Sequence, residues 1–261
     1  GIRFFDTAEA YGQGRSEIIL GGLLKTSEQQ VTVATKFLPY PWRLNRNSVD
    51  RALKKSLDRL QLASVDLYQV HQPLPPRPPE FWAQAMIPLL RQGFIRAIGV
   101  SNFNLDQTRR SHALLQREGI QLASNQVIYN LLDRHIEKNG LLALCKDLGI
   151  AVISYSPLAQ GILSGKYTPQ SPPPGIRSYR YGRNLLQRVQ PLVALLKEIG
   201  ATHGGKTPAQ VAINWTICKG TIPIPGAKSA RQAEENAGAL HWSLTEDEIA
   251  ALDQSSNHLS D

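Results

Sequence analysis

The chain has 261 residues, of which 42% are hydrophobic, so it is long and apolar enough to bury a sizeable core. No stretch approaches the roughly 20 consecutive apolar residues that a membrane-spanning helix needs, and we expect no membrane association. The formal net charge is +8, but the basic residues are not interleaved with aromatic residues in a known module, which argues against nucleic-acid binding.

Short apolar or β-branched runs alternate along the chain with segments of helical periodicity. The predicted strands are residues 2–6, 31–36, 65–71, 95–100, 123–127, 150–155 and 221–224. The predicted helices between them are residues 16–25, 48–60, 80–92, 105–117, 136–148 and 184–200. From the second strand to the sixth, the strand starts lie 27 to 34 residues apart, which is typical of successive βα units. The pattern therefore predicts a parallel sheet.

Polar residues mark the predicted starts of three helices. Ser48 is predicted to cap the second helix, and Thr207 followed by Pro208 is typical of a capping residue with proline in the first turn. Thr245 with Glu248 three residues later predicts a capping box for the last helix.

The element order predicts an α/β fold of the TIM (β/α)8 type, in a single domain that spans residues 1–261. Seven strands are visible, one fewer than the eight that close such a barrel. The alternative, a doubly wound open sheet, usually carries a glycine-rich turn after its first strand, and none is present. We expect the first strand–helix unit to be the missing one, with an unpaired strand edge on each side of the gap. Residues 157–183 are rich in Pro, Gly and Ser, which predicts a long functional loop.

Polar or aromatic side chains follow most of the predicted strands, where a parallel barrel has its active site. A single residue of this kind is more often a cap or a structural side chain, but a convergent set indicates a site. The set comprises Asp6, Lys36, His71, Ser101 with Asn102, Gln126, and Tyr155 with Ser156.

Tyr11 stands five positions after Asp6 and adds a phenol to this set. A phenol has an ordinary pKa of about 10 and can donate a proton at neutral pH, and a nearby ammonium favours its ionised form. Lys36 is the candidate for that ammonium, Asp6 for its carboxylate partner, and His71 for the group that polarises a substrate oxygen. Together the four side chains predict a proton-transfer site.

Seven stretches of the chain resemble the aldo-keto reductase family, in order from residue 1 to about residue 253. They read FFDTAEAYG, VTVATKF, VDLYQVHQP, IRAIGVSNFN, SNQVIYN, ISYSPLAQGILSGKY and IPIPGAKSARQAEENAGA. The resemblance implies a catalytic tetrad of Asp6, Tyr11, Lys36 and His71, with Tyr11 as the general acid. It also implies that an aldehyde or ketone is reduced to an alcohol by hydride from a nicotinamide cofactor.

The same resemblance implies which residues hold the nicotinamide half of the cofactor. Ser101, Asn102 and Gln126 match the residues that hydrogen-bond the carboxamide, and Tyr155 matches the aromatic residue that stacks on the ring. The loop 157–183 is expected to cover the pyrophosphate. The residues of this region that match cofactor contacts are Ser156, Leu158, Gln160, Gly161, Leu163, Ser164 and Lys166.

The segment GAKSARQAEEN matches the part of the family that binds the adenosine half. Lys228 stands where a phosphate-binding side chain is expected, and Arg231 follows three residues later at a predicted helix start, which favours an anion. We therefore expect NADPH as the cofactor rather than NADH. The matching adenosine contacts are Gln232, Glu235 and Asn236.

Other reaction classes have weaker support. Residues 200–207, GATHGGKT, fit the phosphate loop of nucleoside triphosphatases, but a helical stripe precedes them where that motif needs a strand. Lys36 could form a Schiff base as in a lysine-dependent aldolase, but an Asp6 partner favours the charged lysine that cannot react this way. No histidine pair has metal-ligand spacing and no G-x-S-x-G segment is present, so we expect neither a metal site nor a serine nucleophile.

A second hypothesis of a different class is an NADP-binding subunit, weakly catalytic or non-catalytic, that regulates a partner protein. The complete tetrad favours the enzyme, whose partner is a small carbonyl substrate, and the sequence leaves the oligomeric state open. Trp42 is predicted to wall the substrate pocket, with a position on the surface as the alternative. Small aldehydes, sugars and pyridoxal-like compounds are all candidate substrates.

The cysteines and the beginning of the chain bear on its compartment. Cys145 and Cys218 lie in apolar helix-like segments without redox spacing, which is typical of reduced, buried thiols. No signal-like segment opens the chain, so we expect a cytoplasmic protein, although a targeting segment removed before this point would leave no trace.

Overall fold

The computed structural model describes residues 2–27, 29–175 and 181–259. In these ranges one sheet has a spatial strand order that follows the chain order. Its strands are β1 Phe4–Asp6, β2 Thr32–Phe37, β3 Val65–Val70, β4 Ile95–Ser101, β5 Leu122–Ile128, β6 Ala151–Tyr155 and β7 Ile222–Ile224. Pairs β1–β2, β2–β3, β3–β4, β4–β5 and β6–β7 are parallel.

Helices separate the strands along the chain. The α-helices of the described ranges are α1 Arg15–Leu24, α2 Asn47–Leu60, α3 Pro79–Ala85, α4 Ile87–Arg91, α5 Leu105–Gln116, α6 His135–Lys138, α7 Leu141–Asp147, α8 Arg183–Thr202, α9 Pro208–Cys218, α10 Ala230–Ala237 and α11 Glu246–Ser256. Short 3₁₀ segments occupy Tyr11–Gly14, Ala159–Ser164 and Asn257–Leu259.

The first of two compact units comprises Gly1–Val127 and Gly140–Val152. Its strands β2 to β4 are buried at nearly every position, as expected of parallel strands that are covered on both faces. The strand register places Lys36 opposite Gln69 and Ser101 opposite Gln126. Helix α2 buries one stripe of apolar side chains spaced three or four residues apart, namely Val49, Leu53, Leu57 and Leu60.

The second unit comprises Ile128–Asn139 and Ile153–Asp261. Helix α8 contributes the buried residues Leu186, Val189 and Leu192 to its core, and α9 contributes Trp215. Beside this core, Arg134 forms ion pairs with Glu137 at 2.6 Å and Asp253 at 3.3 Å, and Lys219 forms an ion pair with Asp253 at 2.9 Å. The hydroxyl of Tyr129 donates a hydrogen bond to Glu137.

The structure confirms all seven predicted strands to within two residues at each end. It also confirms the caps at Thr207 and Thr245, whose side chains accept hydrogen bonds from the backbone N–H of Gln210 and Glu248. The cap at Ser48 was wrong. Helix α2 begins at Asn47 without a side-chain cap, because Arg46 already has helical dihedral angles and Ser48 lies within the first turn.

Two predicted helices are each divided into two. The segment 80–92 forms α3 and α4, because Pro88 lacks a backbone N–H and therefore lies in the first turn of a new helix. The segment 136–148 forms α6 and α7, because Gly140 adopts a left-handed conformation with φ 81°.

Three further expectations concern the chain as a whole. Among the described residues, no helix combines the length and apolar character that a membrane crossing requires. The loop 157–183 contains the 3₁₀ segment Ala159–Ser164, and its residues 176–180 lie outside the described ranges. The single domain over 1–261 stays a prediction.

Candidate active site

Lys36 lies at the centre of a polar cluster in the first unit. It occupies the next-to-last position of β2 and its side chain is completely buried. The Nζ atom forms an ion pair with Asp6, donates to the carbonyl oxygen of Thr7 at 2.9 Å, and lies 3.2 Å from the phenol oxygen of Tyr11. A buried ammonium is tolerated when its three N–H groups are all satisfied, and the oxygens of these three residues do so here.

Asp6 is held by more than its lysine partner. Its Oδ1 atom accepts hydrogen bonds from the side-chain amides of Gln69 at 3.2 Å and Gln126 at 2.8 Å. Gly99 leaves room for this arrangement, because a Cβ atom there would lie 2.9 Å from Cγ of Gln69. The carboxylate therefore has a fixed position beside Lys36.

Sequence reasoning missed Gln69 and the carbonyl of Thr7. A signal for Gln69 existed, since it lies two residues before His71, and residues two apart on a strand share a face. No signal marked Thr7, because it contributes a backbone atom.

Tyr11 comes from the turn that follows β1. The residues after it adopt left-handed conformations, with φ 58° at Gly12, 56° at Gln13 and 90° at Gly14. This tight turn keeps the tyrosine near the strand end, and the side chain is 40% exposed. Its ring meets the ring of His71 edge-on, with centroids 5.5 Å apart. The phenol is thus the most exposed member of the cluster, since Asp6 and His71 are partly covered and Lys36 is buried.

His71 follows β3 directly, and its backbone N–H donates to the carbonyl of Phe37 at 2.8 Å. Burial and the neighbouring positive charge of Lys36 lower the pKa of His71 from 6.5 to about 4, against a smaller opposing effect of Glu9. The imidazole is therefore neutral at physiological pH. Its buried Nδ1 atom has no hydrogen-bond partner among the described residues.

A second ion pair joins the segments that follow β1 and β2. Arg43 donates to both carboxylate oxygens of Glu9, at 2.5 Å and 3.0 Å, and to the carbonyl of Leu38 at 2.8 Å. Glu9 in turn accepts from the backbone N–H of Leu38 at 2.8 Å. These contacts tie the segment that carries Tyr11 to the end of the strand that carries Lys36. Neither residue was identified from the sequence.

The predicted carboxamide-binding residues Ser101 and Asn102 lie at the end of β4. Ser101 is buried, and its Oγ atom accepts from the amide of Asn102 at 3.1 Å. Asn102 also donates to the carbonyl of His71 at 3.3 Å and adopts a left-handed φ of 60°. Both residues, together with Gln126, are thus connected to the cluster around Lys36 and Asp6.

In the second unit, the predicted loop residues surround a run of unusual backbone conformations. Tyr155 ends β6, and positive φ angles occur at Ser156 (53°), Gln160 (56°) and Gly161 (96°). The φ of 96° at Gly161 is one that other residues rarely adopt, and a Cβ atom there would lie 2.9 Å from Cε near the movable end of the Lys166 side chain. Other predicted residues of this loop differ in burial, with Leu163 buried, Leu158 and Ser164 partly covered and Lys166 exposed.

The predicted adenosine-binding residues lie at α10. Ser229 caps this helix, and the side chain of Gln232 accepts a hydrogen bond from the backbone N–H of Lys228 at 2.7 Å. The side chains of Lys228 and Arg231 are exposed and flank the helix start. Glu235 is partly covered, whereas Asn236 is buried and its amide lies 3.4 Å from the carbonyl of Gly226.

Trp42, the predicted pocket wall, is 73% exposed and stacks on Tyr40 with ring centroids 4.6 Å apart. It lines a cavity of about 330 Å³ in the first unit. The other lining residues are Arg43, Ser48, Arg51, Ala52 and Lys55. Within the described ranges, no group of three or more His, Cys, Asp or Glu side chains could hold a metal ion.

The sequence model of the Aldo/keto reductase family matches residues 1–257. Pyridoxal reductase, chloroplastic, from Arabidopsis thaliana is 43% identical over 267 residues, which cover 97% of this chain and 72% of the relative. An uncharacterized oxidoreductase of Mycobacterium tuberculosis is 40% identical over 256 residues, which cover 97% of this chain and 77% of the relative.

Solved structures agree with these relatives. A glycerol dehydrogenase from Gluconobacter oxydans superimposes with a TM-score of 0.89 at 28% identity, covering all of this chain and 83% of its own. An aldo-keto reductase from Klebsiella pneumoniae in complex with NADPH gives a TM-score of 0.77 at 31% identity, covering 97% and 80%. The predicted α/β barrel class is thereby confirmed.

Proposed function

The chain belongs to the aldo/keto reductase family and is an oxidoreductase, and we propose that it reduces an aldehyde or ketone to an alcohol with NADPH as the hydride donor. The observation that carries the proposal is the environment of Lys36 Nζ, which lies between the Asp6 carboxylate and the Tyr11 phenol oxygen. Reduction of a carbonyl needs a proton on the oxygen as hydride reaches the carbon. The phenol is the exposed proton donor of this cluster.

Each side chain of the cluster has a distinct task in this proposal. Tyr11 donates the proton to the substrate oxygen, and the positive charge of Lys36 stabilises the phenolate that remains. Asp6, fixed by Gln69 and Gln126, keeps the lysine charged and in place. His71 is neutral and can donate one hydrogen bond to the same substrate oxygen without adding charge.

NADPH, when bound, supplies the hydride. The residues present are chemically suited to it: the open backbone at Gly161 beside Lys166 suits a pyrophosphate, and Lys228 with Arg231 suits a 2′-phosphate. Ser101 and Asn102 offer hydroxyl and amide groups of the kind that bind a carboxamide. The Klebsiella relative in complex with NADPH supports the same choice of cofactor.

The name of the Arabidopsis relative gives a first substrate to test, because that protein is named as a reductase of pyridoxal. We place pyridoxal first in a panel that also includes small aldehydes and sugars. The same relative is named as chloroplastic, so the cytoplasmic location of this chain stays a prediction.

The proposal is tested by NADPH oxidation with this panel, with NADH in parallel, for the wild type and for Tyr11→Phe. We expect turnover with at least one aldehyde, a preference for NADPH, and a fall in kcat of about 100-fold or more in the variant, because general acids contribute roughly 10²–10⁴-fold. Turnover that survives the substitution would exclude Tyr11 as the acid.

The same experiment separates the enzyme from the alternative of a regulatory NADP-binding subunit. NADPH binding to Tyr11→Phe, followed by fluorescence, should remain close to that of the wild type, since the substitution removes only one hydroxyl. Binding by the wild type without turnover of any aldehyde in the panel would favour the subunit.

A further inference from the structure

The phenol oxygen of Tyr11 lies 3.2 Å from Lys36 Nζ, although the two residues come from separate segments of the chain. Lys36 is fixed within β2, whereas Tyr11 follows β1 and is 40% exposed. The attachment of the segment between β1 and Tyr11 therefore affects how well the phenol meets the ammonium. Catalysis is sensitive to such placement, since a shift of about 1 Å can lower a rate roughly 100-fold.

Glu9 attaches this segment to the residue that follows β2. It lies two residues before Tyr11, and its carboxylate accepts a hydrogen bond from the backbone N–H of Leu38 at 2.8 Å. Leu38 lies two residues after Lys36, and the Glu9 side chain is only 10% exposed. The contact therefore joins the two segments close to both members of the phenol–ammonium pair.

Arg43 completes the attachment. Its Nη1 atom donates to Glu9 Oε1 at 2.5 Å and to the carbonyl of Leu38 at 2.8 Å, and its Nη2 atom donates to Glu9 Oε2 at 3.0 Å. The guanidinium also lies 4.9 Å from the ring centroid of Phe37 and 5.1 Å from that of Tyr40, which restricts its position. A planar guanidinium holds both carboxylate oxygens at once, which the single ammonium of a lysine does less well.

The same ion pair bears on the charge near the site. Burial and Lys36 lower the pKa of His71, and the carboxylate of Glu9 opposes them, so Glu9 is close enough for its charge to act there. Arg43 places a positive charge against that carboxylate. The arginine therefore fixes the position of Glu9 and also balances its charge.

We propose, on the basis of the function proposed above, that Glu9 and Arg43 are positioning residues that hold the Tyr11 phenol against Lys36 for proton transfer. They act through Tyr11 rather than by contact with substrate or cofactor. Loss of either side chain should therefore slow the chemical step and leave the affinity for NADPH close to that of the wild type.

A double-mutant cycle tests whether Glu9 acts through the phenol. Single-turnover oxidation of bound NADPH by an aldehyde is measured in the wild type, Glu9→Ala, Tyr11→Phe and the double variant. We expect Glu9→Ala to lower the rate about tenfold in the wild type but less than about twofold in the Tyr11→Phe background, because a phenol that is absent cannot be misplaced. A tenfold loss in both backgrounds, or no loss in the wild type, would overturn the proposal.

The matched control removes a similar ion pair from the second unit. Glu137 pairs with Arg134 at 2.6 Å, and its side chain is 20% exposed. We expect Glu137→Ala to keep the single-turnover rate within about twofold of the wild type, since it contacts no member of the cluster among the described residues. A loss equal to that of Glu9→Ala would show that lost stability, and not the position of Tyr11, slows the reaction.

Arg43→Lys is a milder variant for the same cycle and replaces Glu9→Ala if that protein does not fold. The lysine keeps the positive charge but loses the two-pronged contact with Glu9. We expect a smaller loss of rate than in Glu9→Ala, and the loss should again disappear in the Tyr11→Phe background. A loss that persists in that background would contradict the positioning role.

NMR gives a readout that needs no turnover. The rings of Tyr11 and His71 meet edge-on with centroids 5.5 Å apart, so their protons should show nuclear Overhauser contacts in the wild type. We expect Glu9→Ala and Arg43→Lys to weaken these contacts and Glu137→Ala to keep them. If no aldehyde is reduced, the proposed function fails, and this comparison still decides the positioning role: unchanged contacts in both clamp variants, Glu9→Ala and Arg43→Lys, would rule it out.

Discussion

A buried lysine such as Lys36 is costly to maintain, and its partners show how the fold tolerates it. Loss of one partner of a buried ion pair typically costs about 3–5 kcal/mol, because the other charge is left without compensation. Asp6 and the carbonyl of Thr7 supply that compensation here, and the third contact is to the Tyr11 phenol. The polar groups around Lys36 therefore serve mainly to compensate its buried charge. A functional reason to keep that charge is its effect on the neighbouring Tyr11 phenol.

The state of His71 gives a prediction that pH can test. Because burial and Lys36 lower its pKa to about 4, the imidazole stays neutral from about pH 5 upwards. We expect kcat/KM to show no dependence on a group with a pKa near 6.5. The unfolded chain binds more protons than the folded one between pH 6.5 and 4, so His71 also lowers the free energy of unfolding as the pH falls through that range.

The measurement is a titration of the histidine ring signals by NMR, with His71 assigned from a His71→Asn variant. The chain has six histidines, so the assignment is tractable. A midpoint above pH 6 for His71 would contradict the structure, whereas a signal that does not shift until below pH 5 is the expected result.

At the scale of elements, the helices α1 and α2 contact each other closely through a glycine. A Cβ atom at Gly21 would lie 2.5 Å from the carbonyl oxygen of Leu60 and 2.7 Å from that of Arg59, both of which are backbone atoms at the end of α2. A Cβ atom at the next residue, Gly22, would meet nothing within 4 Å. These neighbours therefore form a matched pair on one helix.

We expect Gly21→Ala to lower the free energy of unfolding by about 2 kcal/mol or more, because α1 must move away from α2. Gly22→Ala should raise it by up to about 1 kcal/mol, because alanine has the higher helix propensity. Chemical denaturation of the two variants measures both effects. Equal effects of the two substitutions would show that the helices do not pack as described.

The elements also show what the sequence can and cannot predict. Strand positions followed from short apolar runs, because that signal is local. The breaks at Pro88 and Gly140 each depend on a single residue inside a continuous apolar periodicity. That periodicity alone predicts one uninterrupted helix in each segment. The error at Ser48 has the same origin, since the exact first residue of a helix depends on backbone angles that a side-chain pattern does not specify.

The site was predictable only in part for a related reason. The strand ends identified Asp6, Lys36 and His71, and the structure brings these side chains together with Tyr11. The hydrogen bond from Gln126 to Asp6 joins residues 120 positions apart, and no local pattern reports such a pair. Contacts of this kind depend on strand register across the sheet.

At the scale of the whole molecule, we expect acid to destabilise the folded protein by protonating carboxylates whose pKa is lowered in the folded state. Burial would raise the pKa of Glu137, but hydrogen bonds from Arg134 and Tyr129 and the charge of Lys219 outweigh it and lower that pKa below 4.5. A lowered pKa contributes stability above about pH 4.5 that is lost as the pH falls through the folded-state value. His71 adds to the acid sensitivity between pH 6.5 and 4.

We expect Glu137→Gln to lower the free energy of unfolding at pH 7 by about 3 kcal/mol, because Arg134 and Lys219 lose a partner in a mostly buried network. The matched control is Glu118→Gln, whose pair with Arg91 is exposed and should contribute less than about 1 kcal/mol. Urea denaturation between pH 4 and 8 measures both, and Glu137→Gln should lose less stability than the wild type as the pH falls towards 4. Equal losses of stability in the two variants at pH 7 would show that the network around Glu137 stabilises the fold no more than an exposed ion pair does.

The central claim is that the Tyr11 phenol, beside Lys36, delivers the proton to a carbonyl oxygen. Single-turnover oxidation of bound NADPH by an aldehyde isolates this step in the wild type, in Tyr11→Phe and in Tyr68→Phe. Tyr68 is a suitable control because its hydroxyl is buried without a hydrogen-bond partner among the described residues. It also precedes Gln69 on β3, and successive side chains of a strand point to opposite faces. We expect the rate to fall by about 100-fold or more in Tyr11→Phe and to stay within about twofold in Tyr68→Phe. Equal rates in Tyr11→Phe and the wild type would contradict the account.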